Sequence, residues 1–168
     1  MRYLAVILLV VSPVFGVWVS PTSHNPASEP HWDNCINAYD GNVETFTNES
    51  DWPPYFYSLD LLFSPAVEID SFRITAANFY WPELSNPSIE VLLFCDGETI
   101  LHFTSDIVAN EWCDYPLGDD QFVSSVKIIS PTTEYMLRVY EFQVNEIPEP
   151  SSLFLIGFGT ILFLRKKL

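Results

Sequence analysis

Basic residues are scarce in this 168-residue chain, which has 7 Lys and Arg against 22 Asp and Glu. Four of the seven lie near the two ends, so the net charge between Arg2 and Arg165 is 3 − 22 = −19. The three basic residues of this middle part are Arg73, Lys127 and Arg138. Such an acidic surface keeps a protein soluble and repels nucleic acid and anionic lipid. We therefore expect no nucleic-acid partner.

Motifs of common enzyme classes are also missing. The chain has no Gly-x-Ser-x-Gly elbow, no His-Glu-x-x-His and no phosphate-binding loop. Its carboxylates offer many pairs, but nothing in the sequence fixes two of them across a cleft for glycoside hydrolysis. A nucleophilic pair of Cys113 and His102 lacks supporting context. The sequence therefore predicts no enzyme and leaves a hydrolase as an outside alternative. The three histidines, which show no metal-ligand spacing, are His24, His31 and His102.

Cysteine is scarce too, and three cysteines cannot all pair within one chain. Export favours oxidation. Cys95 and Cys113 lie at the end and the start of neighbouring predicted strands, so we predict a disulfide between them. They are 113 − 95 = 18 positions apart, a loop whose closure contributes roughly 3 kcal/mol in the chain-entropy model. Pairing of Cys35 with either of the others stays an open alternative.

Helical periodicity is missing from the middle of the chain, where apolar residues alternate instead. Residues 55–63 alternate on one face, and the alternation changes phase near Asp70-Ser71, which predicts a β-bulge. Residues 89–95 alternate up to an Asp96-Gly97 turn. Many short strands with turns between them predict an all-β, antiparallel sandwich or barrel. Further predicted strands lie at 101–103, 113–117, 122–128 and 136–144.

The N-terminus has the organisation of a secretory signal peptide. Arg2 supplies a positive charge, Leu4 to Val11 form an apolar stretch, and we predict cleavage after Gly16. The alternative is an uncleaved N-terminal anchor. Residues 17–31, which hold three prolines, are predicted to be an irregular lead-in to a domain at 32–146.

The C-terminal segment, residues 147–168, has three parts in a fixed order. Pro148-Glu149-Pro150 interrupts regular structure. The uncharged, mostly apolar residues 151–164 follow, and then comes the basic cluster Arg165, Lys166 and Lys167. This order resembles the PEP-CTERM sorting signal of bacterial envelope proteins. The resemblance implies export, temporary membrane anchoring by a hydrophobic helix, processing by an exosortase near the motif, and release to the cell surface or extracellular matrix.

The apolar part of this tail is short. Its 164 − 150 = 14 residues would reach about 21 Å as a helix, against a hydrocarbon core of ~30 Å. This length favours a marginal or temporary span. The alternative is an ordinary buried C-terminal helix or strand.

The segment Asn37–Thr45 (NAYDGNVET) resembles the loop that opens discoidin, or coagulation-factor type C, domains and their carbohydrate-binding relatives. The later order is similar as well: an aromatic-proline loop, YSLDLLFSPAVEIDSFRI, SIEVLLFCDG, Trp112 and VYEFQV. The resemblance implies a galactose-binding-like jelly-roll β-sandwich over residues 32–146.

The same loop predicts a structural calcium ion. The Asp40-Gly41 turn can present carbonyl oxygens inward, and calcium takes 6–8 oxygen ligands of mixed type. The predicted ligands in the loop are Ala38, Asp40, Asn42 and Thr45, and the resemblance adds a glutamate on the last strand, Glu141. The alternative is an Asx turn without metal, in which Asp40 bonds its own backbone.

Two aromatic-rich stretches, residues 51–55 and 79–83, predict a saccharide site. Rings stack on the C–H faces of sugars, and carboxylates accept hydroxyl protons. The predicted stacking residues are Trp52, Tyr80 and Trp81, and the predicted acceptors are Asp51 and Glu83. The expected function is polysaccharide binding by an exported protein. The alternatives are that these rings close the ends of the sandwich, and that the protein is a structural or adhesive envelope component that binds other proteins.

Overall fold

A computed structural model of the chain describes residues 16–50, 57–80, 83–132 and 135–147. These residues form ten strands and two 3-10 helices, Pro26–Ser28 and Cys35–Ala38. The strands are β1 (Val17–Val19), β2 (Ser23–His24), β3 (Trp32–Asp33), β4 (Thr47–Glu49), β5 (Leu59–Tyr80), β6 (Glu83–Ser85), β7 (Ser88–Cys95), β8 (Glu98–Asp106), β9 (Cys113–Ile129) and β10 (Met136–Glu146). Within this described part, no helix has the length and apolar character needed to cross a bilayer.

The predicted terminal signals fall almost wholly outside the described residues. The description begins at Gly16, the last residue of the predicted signal peptide, and ends at Ile147, the first residue of the predicted tail. All six residues of the predicted sorting motif and basic end therefore lie beyond it: Pro148, Glu149, Pro150, Arg165, Lys166 and Lys167.

Every strand pair in the described residues is antiparallel. The strands follow the order β3-β4-β10-β5-β9-β7-β8, with β1 added to β10 and with β2 and β6 added to β5. This arrangement confirms the predicted antiparallel all-β class. The lead-in 17–31 differs from the prediction, because Val17–Val19 pairs with residues 144–146 of β10.

Two strands are much longer than the sequence predicts. β5 has 22 residues and β9 has 17, and each joins segments that the alternation separates. Their pairing shifts register between Leu62 and Val67 and again between Ile69 and Ser71. In the second shift the extra residues lie in β9. The bulge predicted near Asp70-Ser71 is confirmed by the pairing with β10, where Asn145 is opposite Ser71 and Glu146 is opposite Ile69, which leaves one extra residue in β5. A bulge bends a strand without ending its pairing, so a change of phase marks a bend here and not a strand boundary.

The bends fold the sheet over its own apolar face. Phe72 of β5 contacts Phe103 of β8 with ring centroids 5.7 Å apart, although β9 and β7 lie between these strands in the sheet. Phe72 also stacks on Phe142 of β10 at 5.8 Å and on Tyr115 of β9 at 5.1 Å. The rings therefore join two layers across one core, as in a β-sandwich.

The β7–β8 hairpin agrees with the sequence prediction. Ile89, Val91 and Leu93 are fully buried. Asp96 and Gly97 have φ values of 50° and 87°, the left-handed conformation that two-residue hairpin turns require.

The predicted Cys95–Cys113 disulfide is wrong in this structure, where all three cysteines are free. β7 and β9 are neighbours as expected, but Phe94 pairs with Ser125. Cys113 lies at the other end of β9, opposite Ile74 of β5. The prediction failed because 113–117 and 122–128 form one continuous strand, which separates the two sulfur atoms along its length.

Candidate functional site

The loop that follows the second 3-10 helix folds around Asp40. The Oδ1 atom of Asp40 accepts the Asn42 N–H at 2.8 Å, and its Oδ2 atom accepts the Thr45 hydroxyl at 2.8 Å. Gly41 has a φ of 79° and donates its N–H to Glu141 Oε2 at 3.0 Å. The structure therefore brings four predicted ligands, Asp40, Asn42, Thr45 and Glu141, into one hydrogen-bonded group, which contains the Asx turn of the alternative. Ala38 is buried two residues before Asp40.

Glu141 is the unusual member of this group because its side chain is fully buried in β10. Burial raises the pKa of the Glu141 carboxyl, and the nearby charge of Asp40 raises it further. Hydrogen bonds from the Ser20 hydroxyl, at 2.9 Å, and from Gly41 act in the opposite direction. A buried carboxylate close to a second one is a place where a cation would relieve both desolvation and repulsion.

The donor set fits calcium in kind. It provides two carboxylates, one hydroxyl and nearby backbone carbonyls, which are the hard oxygen ligands that calcium prefers. Within the described ranges, no group of three or more His, Cys, Asp or Glu side chains is placed to hold a metal ion, so any ion in this loop would depend on hydroxyl and carbonyl oxygens beside the two carboxylates.

The second candidate site is the end of the sandwich where both aromatic-rich stretches begin. β4 and β5 lie on either side of β10. Asn48 of β4 pairs with Arg138, and Phe79 of β5 pairs with Met136. The residues that lead into segments 51–56 and 81–82 therefore flank the first residues of β10.

Arg138 connects these two flanks. Its guanidinium lies 3.7 Å from the ring centroid of Phe46 and 4.5 Å from that of Phe79. Its Nε donates to Asn48 Oδ1 at 2.8 Å. An arginine stacked between two rings and hydrogen-bonded at its edge holds both neighbouring segments in a fixed relation.

His31 fixes both ends of segment 51–56. Its carbonyl accepts the Ser50 N–H at 2.8 Å, and its ring stacks on Tyr57 with centroids 3.4 Å apart and planes 6° apart. The sequence predicts no such role for His31. The sequence offered one weak signal, because Tyr57 is an aromatic residue that directly follows segment 51–56.

Most side chains of the predicted sugar-binding residues lie outside the described part of the chain. Asp51, Trp52 and Trp81 lie outside the described residues, and for Tyr80 and Glu83 only the backbone is described. The structure therefore places the strand residues before and after these side chains at one end of the sheet, and their contacts stay a prediction.

A separate apolar pocket of about 370 Å³ lies between β8 and the bend of β9. Phe72, Phe103, Tyr115 and Leu117 contribute to its lining. The described residues that line it belong to the bends of β5 and β9 and to β8.

Comparison with known proteins identifies the C-terminal segment. Residues 146–167 match the family model of the PEP-CTERM protein-sorting motif, which confirms the predicted tail. This motif indicates an exported protein that is sorted to the cell surface. A search of curated proteins finds no match to the chain.

Solved structures identify the fold. The chain is similar to the family 32 carbohydrate-binding module of NanJ from C. perfringens, in complex with galactose, with a TM-score of 0.53, 18% identity, and coverage of 78% of this chain and 92% of that one. The chain is also similar to the fucose-binding module SpX-3 from Streptococcus pneumoniae, with a TM-score of 0.55, 13% identity, and coverage of 79% of this chain and 95% of that one. A family 89 glycoside hydrolase from Clostridium perfringens gives a TM-score of 0.51 at 13% identity, with coverage of 78% of this chain and 14% of that one.

These likenesses show the fold and confirm the predicted jelly-roll sandwich of the discoidin-like, galactose-binding type. The chain therefore carries a segment that matches the PEP-CTERM protein-sorting motif, and its described residues form a sandwich like those of carbohydrate-binding modules.

Proposed function

We propose that this protein is exported, processed through its C-terminal tail and displayed at the cell surface or in the extracellular matrix, where its sandwich binds polysaccharide. The observation that carries the binding proposal is the position of β4 and β5 on either side of β10. Both aromatic-rich stretches continue from these strands in the sequence, so the described residues that lead into them lie on either side of the first residues of β10. Similar folds in the neighbouring structures include modules described as galactose-bound and fucose-binding.

The proposed saccharide site uses the side chains predicted from the sequence. Trp52, Tyr80 and Trp81 stack on sugar rings, and Asp51 and Glu83 accept hydroxyl protons. The Arg138 stack and the His31–Tyr57 stack hold described residues that flank these stretches in the chain. Binding sites are most selective when such supporting contacts hold the first contacts in place.

The proposed processing starts from the end of β10. The Ile147 N–H donates to the Glu68 carbonyl at 2.8 Å, so the sheet extends to the residue before Pro148. Beyond it, the apolar tail enters the membrane temporarily, the basic cluster stays on the cytoplasmic side, and an exosortase cuts near the Pro-Glu-Pro motif. Replacing Pro148 and Pro150 should leave the protein uncut, and an unchanged mature mass would argue against this route.

We also propose a structural calcium ion in the Asp40 loop. Asp40 and Glu141 would supply carboxylates, with further oxygens from Ala38, Asn42 and Thr45. The ion would neutralise the buried Glu141 carboxylate and tie the loop to β10. Isothermal titration calorimetry of calcium into the metal-free protein tests this directly, and no binding heat would remove the site.

A glycan array tests the saccharide proposal. We expect the wild-type protein to bind selected polysaccharides and a Trp81→Ala variant to lose that binding. Phe122→Ala is the matched control, because Phe122 is an aromatic side chain that is 55% exposed and lies on β9 beside the bend of the strand. An array without any signal, together with self-association in sedimentation, would instead favour the structural or adhesive role.

A further inference from the structure

All three basic residues between the two ends of the chain are stacked on aromatic rings. Arg73 and Arg138 each lie between two rings, at 4.2 and 4.3 Å for Arg73 and at 3.7 and 4.5 Å for Arg138. The Lys127 ammonium has one ring partner, whose centroid lies 5.7 Å away. The rings are Trp18 and Trp112 for Arg73, Phe46 and Phe79 for Arg138, and Phe94 for Lys127.

Each of these cations also has a polar partner from the protein itself. The Arg73 Nε donates to Gln143 Oε1 at 2.9 Å, and its Nη2 donates to the same oxygen. The Arg138 Nε donates to Asn48 Oδ1 at 2.8 Å. Lys127 Nζ lies 3.4 Å from Asp60 Oδ2. The positive charges of the domain are therefore engaged in holding its strands together.

Two histidines also contact acidic side chains. His24 Nε2 lies 3.1 Å from Glu29 Oε1, and its Nδ1 contacts the Tyr39 hydroxyl. His102 Nε2 contacts Glu90 Oε1. Both imidazole rings are therefore partnered within the protein as well.

We propose that the saccharide ligand is electrically neutral and that the domain discriminates against polysaccharides bearing uronate or sulfate groups. This inference rests on the proposed saccharide binding. A polyanion approaching the domain meets the field of a chain with a net charge of 3 − 22 = −19 between Arg2 and Arg165, whose three cations are already partnered. A neutral glycan needs ring faces and hydroxyl-proton acceptors, and aromatic rings and carboxylates provide both.

The test compares acidic polysaccharides with matched neutral ones. Full-length protein in detergent is applied to beads that carry alginate, polygalacturonate or hyaluronan. The control beads carry the same polymers after chemical reduction of their carboxyl groups to primary alcohols, together with natural galactans and mannans. Each binding measurement is made in calcium and in EDTA, and at about 50 and about 500 mM NaCl, a range over which the screening length falls severalfold.

We expect retention on neutral polymers only, at least about tenfold stronger than on any unreduced parent, which is a difference of about 1.4 kcal/mol. Salt should leave this retention unchanged. Equal or stronger retention on an acidic parent, in calcium or in EDTA, would overturn the inference and leave saccharide binding intact. Retention on no polymer, acidic or neutral, would overturn the proposed function and this inference together.

Discussion

Replacing Arg138 with methionine should destabilise the end of the sandwich at which both aromatic-rich stretches begin. The guanidinium is held between Phe46 and Phe79 and bonds Asn48. Methionine keeps much of the aliphatic stem but removes the charge, the planar group and the donor. The variant therefore isolates the stack with little change in the volume of the side chain.

The expected loss follows from these contacts. Each cation–π contact at a partly exposed position contributes about 0.5–1 kcal/mol, and the hydrogen bond from a charged donor about 1.5–3 kcal/mol. The sum for two such contacts and one hydrogen bond is roughly 2.5–5 kcal/mol, which lowers the unfolding midpoint of a domain of this size by about 8–20 °C. Arg138→Lys keeps the charge but not the planar stack, so it should recover only part of the loss.

Arg73→Met provides the matched control. Arg73 has the same arrangement, between Trp18 and Trp112 at 4.2 and 4.3 Å, but it pairs with Gln143, five positions further along β10 than Arg138. Thermal unfolding followed by fluorescence should show a similar loss for both methionine variants. Glycan binding, measured well below both midpoints, should weaken only in Arg138→Met, because only that stack lies beside the aromatic-rich stretches.

Two results would refute this reasoning. A change in stability below about 0.5 kcal/mol for Arg138→Met, the range of ordinary surface substitutions, would mean that the stack contributes nothing measurable. Equal glycan binding by both methionine variants would mean that Arg138 supports the fold but does not position the binding end.

Further predictions concern the thiols, the metal and the core. Denatured protein should titrate three thiols, not the single one that a disulfide would leave, and in the native state Cys35 should react slowest because burial shields it and raises its pKa. Calcium at 100 times its dissociation constant should stabilise the wild-type protein by about 2.7 kcal/mol in thermal melts, and Asp40→Asn should abolish the shift; a persistent shift would place the ion elsewhere. Phe72→Ala should cost about 3–5 kcal/mol in urea unfolding, whereas Phe122→Ala should cost less than about 0.5 kcal/mol, and similar costs would contradict the assigned core.

Local features of this protein follow from its sequence because neighbouring residues produce them. The alternation over 89–95 places Ile89, Val91 and Leu93 on the buried face, since successive strand residues point to opposite sides. Asp96-Gly97 forms its turn because both residues tolerate positive φ. The order of the tail likewise identifies the sorting motif without any folded structure.

The register of strand pairing could not be predicted from the sequence. The alternation over 113–117 and 122–128 looked like two strands, and the bulge that joins them into β9 also carries Cys113 away from Cys95. Pairing between β5 and β9 decides which residues meet, and a shift by a single position would have exchanged their faces. No local pattern reports such a shift.

The sequence by itself determined the acidic charge, the strand class, the sorting tail and the residue types of both candidate sites, because composition and short-range periodicity carry that information. Only the tertiary structure decided that Glu141 reaches Gly41, 100 positions away, that Arg73 meets Gln143, 70 positions away, and that every basic residue of the domain is stacked on a ring. The physical reason is that these contacts depend on how strands distant in the chain align side by side, and that alignment is settled by packing of the whole core.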